Sequence, residues 1–331
     1  MKLYKDVLSQ GWILTSRHPQ LWVFGLFVVF ITGTAGEIDR YLRYVNNLLN
    51  IDSVFSIQFW QQQSWIQLLN NAINLISAGN VSVIIFCGLL LGSLLIVAYM
   101  IVVAEGGLIY AAGLQGKRRT KTVTFIEAFQ AGVKHAFSLF VLNFVSLLVI
   151  TSLILPMNGL IVQLGDAGSL YDAQISLVLI GSVLLVPLIL VISFVVRYAA
   201  NFIVLEDKDL GSALVQGLQL FLNNWLVTVE MAAVVFVLAT VMGIFIILTT
   251  FVVIAPYLGL MLIVSPEGEV ANVLNVLFVG GTFYVVATLI FAMIFSTWQW
   301  VSWTLLFKRI QKEKHTGKTI RLVGAGKIAK K

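Results

Sequence analysis

Apolar positions in this chain come in long unbroken blocks. The stretch 81–103 has hardly a polar residue, and similar blocks follow 139, 173, 225 and 270. A half-buried strand alternates every second position, and a surface helix repeats every third or fourth. These blocks do neither. A helix needs ~20 apolar residues in a row to cross a ~30 Å hydrocarbon core. Inside lipid the backbone must satisfy its own polar groups, which leaves helices or a closed barrel. A barrel is built from alternating segments of roughly ten residues. The pattern therefore predicts an all-α, polytopic helical membrane protein.

Between the blocks the period changes. The segments 1–20, 124–139 and 210–222 place apolar side chains on one helical face, as Phe125, Ala128, Phe129, Gly132 and Val133 do in the second. Each precedes an apolar block. The expected plan is six transmembrane helices near 21–35, 81–114, 139–164, 173–205, 225–264 and 270–307. They form three hairpins, each introduced by an amphipathic helix. Residues 1–308 make a single transmembrane domain. Within it 36–80 is an extracytoplasmic amphipathic insertion, where Tyr41, Tyr44, Leu48 and Trp65, Leu68, Ile76 recur at helical spacing. Residues 309–331 form a basic tail. A competing reading takes 21–31 as the core of a signal peptide cleaved after Gly33-Thr34-Ala35.

Charge fixes the direction. Only 11% of the 331 residues are charged, against about 25% in a soluble domain. Of 21 Lys and Arg, all but Arg40 and Arg43 fall on one side of this plan or at its interface. The positive-inside rule makes that side the cytoplasm, with both termini there. The net charge of +6 then reports contact with anionic lipid headgroups, not nucleic acid. A membrane protein partner is a second expectation. Cys87 is the single cysteine, so no disulfide forms within the chain.

Two internal similarities stand out. Val7–Gly11, Ala128–Gly132 and Ala213–Gly217 read VLSQG, AFQAG and ALVQG. Leu155–Leu160 aligns without gaps to Ala255–Leu260, pairing Pro156 with Pro256, and the same register pairs Gly168 with Gly268 and Gly181 with Gly281. Hairpins 3–4 and 5–6 are expected to be related units, with 1–2 a diverged third. Both prolines are expected to break or kink their helices.

Charges inside spans are the first functional candidates, because a lone charge in hydrocarbon is costly. Here they are Glu105, Arg197 and Glu230, all toward the cytoplasmic side. Arg197 is placed to pair with either acid. They form a bundle-locking ion pair or line a polar path. Trp12, Trp22, Trp225, Trp298, Trp300 and Trp303 are expected as interfacial anchors. Lys134 and His135 are expected to touch headgroups. His18, His135 and His315 are far apart, and no nucleophile, phosphate-loop or metal-ligand pattern occurs. No catalytic residue, cofactor or metal is expected.

Several stretches resemble a known family. These are Gly11-Trp12 through Arg17-His18-Pro19 to Leu21–Gly25, Glu105–Ile109 before a basic loop, Phe125–Phe129, and Val204–Asp207 followed by Ala213-Leu214 and Asn224-Trp225. They resemble the membrane domain fused to some glycerophosphodiester phosphodiesterases, and its stand-alone six-span bacterial relatives. The resemblance implies the six-span fold and a bacterial inner membrane as the setting. The soluble phosphodiesterase barrel is absent here, so it implies no enzymatic activity. The expected function is a non-enzymatic membrane protein acting on lipid or membrane partners. The alternative is a transporter or channel with Arg197, Glu105 and Glu230 along its path. An intramembrane enzyme is a third.

Overall fold

The computed structural model describes residues 2–29, 81–114, 124–166, 172–264 and 270–312. They are helical, and no strand occurs among them. Helix α1 is Lys2–Arg17. A 3-10 turn at Pro19–Leu21 leads into α2, Trp22–Val28. Then come α3, Val81–Leu114, α4, Phe125–Asp166, and α5, Asp172–Glu206. The short α6, Leu210–Asn223, precedes α7, Trp225–Val264, and α8, Val270–Lys312.

Among the described residues five helices are long and apolar enough to cross a membrane, within Ile84–Leu114, Phe125–Pro156, Val183–Glu206, Trp225–Ile246 and Tyr284–Lys312. The expected first span, 21–35, lies partly outside the described residues, and so do the insertion 36–80 and most of the basic tail. At 1.5 Å per residue the 42 residues of α4 reach ~63 Å, about twice a ~30 Å core. The long helices must tilt or stand well clear of the hydrocarbon.

Two expectations need correction. The amphipathic helix at 124–139 and the span after it are one continuous helix, α4. No glycine or proline lies between Val133 and Leu155 to interrupt it. Elsewhere the expected breaks exist: Pro19 starts the turn after α1, and Asn224 caps α6 before α7. Secondly, of the break or kink expected at Pro156 and Pro256, the break does not occur, since neither residue ends its helix. α4 runs on to Asp166 and α7 to Val264, as membrane helices tolerate proline. Pro187 likewise lies inside α5.

Burial is uneven along the helices. Leu108 and Ile109 are buried late in α3, Leu139 in the first half of α4, and Ile203 late in α5. Met231 is buried early in α7 and Leu306 late in α8. The buried part alternates between C-terminal and N-terminal halves, so the packed portions gather at one end of the bundle. α8 packs there against α1, α2, α3 and α7. The remaining halves splay apart and expose large apolar side chains, such as Phe86, Leu89, Val183, Leu184 and Phe236. A surface of this kind suits lipid rather than water.

Polar contacts fasten the packed end. Lys308 donates to the Gly113 carbonyl at 2.5 Å, Gln311 to Glu206, and Arg309 pairs with Asp6 at 3.7 Å. Asp207, at φ 52, turns the chain out of α5 in the left-handed conformation that Asp tolerates better than most residues. Asp209 then caps α6, accepting from the Ser212 backbone N–H at 3.1 Å. The Ser212 hydroxyl donates to the same carboxylate at 2.5 Å. These hydrogen bonds hold the Asp209 carboxyl below its ordinary value of 3.8. A depressed folded-state value stabilises the fold above the unfolded value and is lost as pH falls through the folded one. Asp209→Ala should therefore lower the thermal midpoint at neutral pH. The gap to the wild type should close on acidification below 3.8. Melting curves across pH, followed by circular dichroism in detergent, measure this directly.

Candidate functional site

The site starts from a close helix crossing. Ala128, Gly132 and Ala136 stand four residues apart on one stripe of α4, and α3 presents Gly106 and Gly107 to it. A Cβ on Gly132 would meet the Val103 carbonyl oxygen at 2.1 Å, so the two backbones are all but touching. Small residues at this spacing allow such approach between membrane helices. The same helix pair holds Glu105 of α3 near Asn143 of α4. The Asn143 Nδ2 donates to Glu105 Oε2 at 2.6 Å. Gly11 and Gly217, which close the other two five-residue matches, also sit at crossings, against Ser302 and the backbone of Val195 and Ala199.

Arg197 enters from α5. Its guanidinium lies over the Trp300 ring at 5.5 Å and the Trp303 ring at 5.3 Å. The two tryptophans are three residues apart on α8 and so share one face. Planar, weakly hydrated guanidinium stacks well on such faces. Glu105, Asn143, Ser146, Ser193, Val196, Arg197 and Trp300 line one partly enclosed cavity of ≈ 40 Å³. That is room for a few waters or a small polar group.

Several polar groups on the side chains that line this cavity have no hydrogen-bond partner among the described residues. Glu105 is fully buried, and its Oε1 has no hydrogen-bond partner. Trp300 Nε1 is buried without an acceptor. Among the described residues Arg197 has no hydrogen-bond acceptor for its guanidinium and no ion pair within 4.0 Å. Glu105 and Arg197 therefore share a cavity without closing a salt bridge. Buried polar atoms left in this state are costly, and each calls for a partner.

Glu230, the third expected member, does not line the cavity. The Tyr4 hydroxyl donates to it, tying α1 to α7. Burial, then the hydrogen bond and charge of Glu230, push the Tyr4 hydroxyl above its ordinary value, so it stays a donor. Lys134 and His135 both reach Asp207, at 2.5 Å and 3.3 Å. The Lys134 hydrogen bond, with the charges of both residues, holds the Asp207 carboxyl below its ordinary value.

The tryptophans divide. Trp12 and Trp225 are exposed, and Trp22 is half-buried with its Nε1 donating to the Thr15 carbonyl at 2.9 Å. Trp298, Trp300 and Trp303 are buried, which corrects their assignment as interfacial anchors. Trp298 donates to the Leu8 carbonyl at 3.1 Å, while the other two form the shelf under Arg197. Sequence reading missed Asn143, Ser146 and Ser193. Their only signal was a polar residue inside an apolar block.

The cavity brings together one acid, one base, one amide and two hydroxyls. Such a set orients and binds polar groups by hydrogen bonds and charge. Among the described residues no group of three or more His, Cys, Asp or Glu is placed to hold a metal ion. No family model, no curated protein and no solved structure matches this chain, so the site's chemistry rests on its own geometry.

Proposed function

We propose that this is a non-enzymatic integral membrane protein that binds lipid. A polar headgroup sits in the cavity between Glu105 and Arg197, and the acyl chains lie along the splayed apolar halves of the helices. The proposed setting is a bacterial inner membrane, as the family resemblance implies, with both termini cytoplasmic, argued from the distribution of Lys and Arg. One observation carries the reading: Glu105 and Arg197 line one cavity, and among the described residues neither is engaged in an ion pair. A pair serving only to lock the bundle would close, because an open charge at this depth is penalised. Exposed Val215, Leu218 and Leu222 on α6 add an apolar surface suited to the headgroup layer.

The test is lipid retention. Wild-type protein purified in mild detergent should carry bound phospholipid in native mass spectrometry. Arg197→Lys keeps the charge but loses the planar fork, and should strip about tenfold of that occupancy. Equal lipid content in the two proteins would count against the reading.

A second reading, transport, draws on depth. Arg197 lies ten residues before Asp207, which is ~15 Å along the helix, or half of a ~30 Å core. Substrate sites of transporters lie near mid-depth. In this reading Glu105 and Arg197 mark the path, while Glu230 is held by Tyr4. Movement of labelled lipid between the leaflets of proteoliposomes would favour transport, and retention without movement would favour binding alone.

A further inference from the structure

The orphan groups on the side chains lining the cavity are not of one sign. Glu105 Oε1 is a buried acceptor without a donor, and Trp300 Nε1 a buried donor without an acceptor. Arg197 adds a guanidinium whose hydrogen-bond donors have no acceptor among the described residues. A bare anion entering the cavity would face Glu105. A bare cation would face Arg197. A metal ion would find no cluster of ligands among the described residues. A group with both charges satisfies all three orphans together. Its ammonium donates to Glu105 Oε1, and its oxyanion accepts from Arg197 and Trp300.

We infer that the cavity bounded by Glu105, Arg197 and Trp300 recognises a zwitterion bearing a primary ammonium and an acidic oxyanion, the chemistry of a phosphoethanolamine headgroup. This rests on the reading above that the cavity takes a lipid headgroup. Two arguments make the ammonium primary. A trimethylammonium has no N–H and would leave Glu105 Oε1 without a donor. It is also held by open aromatic faces, and here the Trp300 and Trp303 rings already hold the Arg197 guanidinium. Asn143 fixes the carboxylate by holding Oε2, which leaves Oε1 for the ligand.

Free phosphoethanolamine shares this chemistry, so the test must separate it from the lipid. Full-length protein in nanodiscs is exposed to dioleoyl lipids with ethanolamine, choline or glycerol headgroups, and adducts are counted by native mass spectrometry. The wild type should prefer the ethanolamine lipid to the choline lipid by about tenfold, the effect of one hydrogen bond to a charged group. Glu105→Gln, checked for monodispersity, should reduce that preference to about twofold, since an amide oxygen accepts without charge. Equal binding of the ethanolamine and choline lipids by the wild type would overturn the zwitterion while leaving lipid binding in place. No retained lipid of any kind, with water alone in the cavity, would overturn both. An undiminished preference in Glu105→Gln would remove Glu105 from the site. Competition by soluble phosphoethanolamine at lower concentration than the lipid would keep the zwitterion and overturn the lipid as its source. Should Glu105→Gln fail to fold, the comparison of two lipids on the wild type decides alone.

Discussion

Gly132→Ala should cost about 1–3 kcal/mol of stability, and Gly132→Leu should leave no folded bundle to measure. The reason is geometric. A Cβ at this position lies 2.1 Å from the Val103 carbonyl oxygen and 2.9 Å from its carbonyl carbon. Both are backbone atoms, so no rotamer change relieves the clash and α3 must move away from α4. That movement also separates Glu105 from Asn143, so the ligand site should fail with the fold. Gly88 and Gly92 of α3 provide the control, because a Cβ there meets nothing within 4 Å. Replacing either with alanine should be neutral or stabilising by about 0.5–1 kcal/mol, as alanine is the better helix former. Thermal unfolding of the three variants in one detergent checks the contrast. Equal midpoints for Gly132→Ala and Gly88→Ala would mean that the crossing is looser than its geometry.

This crossing shows what the chain made legible and what it hid. The class and most of the apolar helices could be read because lipid imposes one dominant rule, apolar side chains over a fixed length. The five-residue matches ending in Gly11, Gly132 and Gly217 could be seen as a pattern. Their physical content, a glycine at a helix crossing in each case, needed coordinates. Helix continuity was harder to read. The amphipathic period of 124–139 suggested a separate surface helix, yet nothing in the residues after it stops α4. Apolar faces and helix ends are set by different residues, and only a Pro19 or an Asn224 marks the second.

The site was half legible for a similar reason. Glu105 and Arg197 stood out because charge in an apolar block is conspicuous. Asn143 did not, since a single amide in a long span is common. Trp300 and Trp303 were misplaced, because tryptophan near a helix end next to basic residues is ordinarily an interfacial anchor. A tryptophan buried beneath an arginine has the same local sequence. Which role applies depends on a partner helix more than a hundred residues earlier in the chain, and a one-dimensional pattern carries no such information. Glu230 was drawn to Arg197 by depth alone, whereas α1 supplied Tyr4 as its donor.

Arg197→Ala should be the most damaging single change at the cavity itself, at roughly 3 kcal/mol or more. Three losses combine. The guanidinium no longer covers Trp300 and Trp303, whose indole N–H groups already lack acceptors. A void opens where the side chain stood. Glu105 keeps its burial and loses the cation that shares its cavity. The last of these can be isolated. Removing the acid's charge as well, in Arg197→Ala with Glu105→Gln, should return part of the loss, with a coupling of about 0.5–3 kcal/mol. Arg197→Lys should recover charge but not stacking, and fall between the wild type and alanine. Chemical unfolding of the four proteins gives each quantity. A double variant no more stable than Arg197→Ala would mean that Glu105 and Arg197 do not act on one another. The argument for a ligand bearing both charges would then lose its electrostatic basis, even with every hydrogen bond in place.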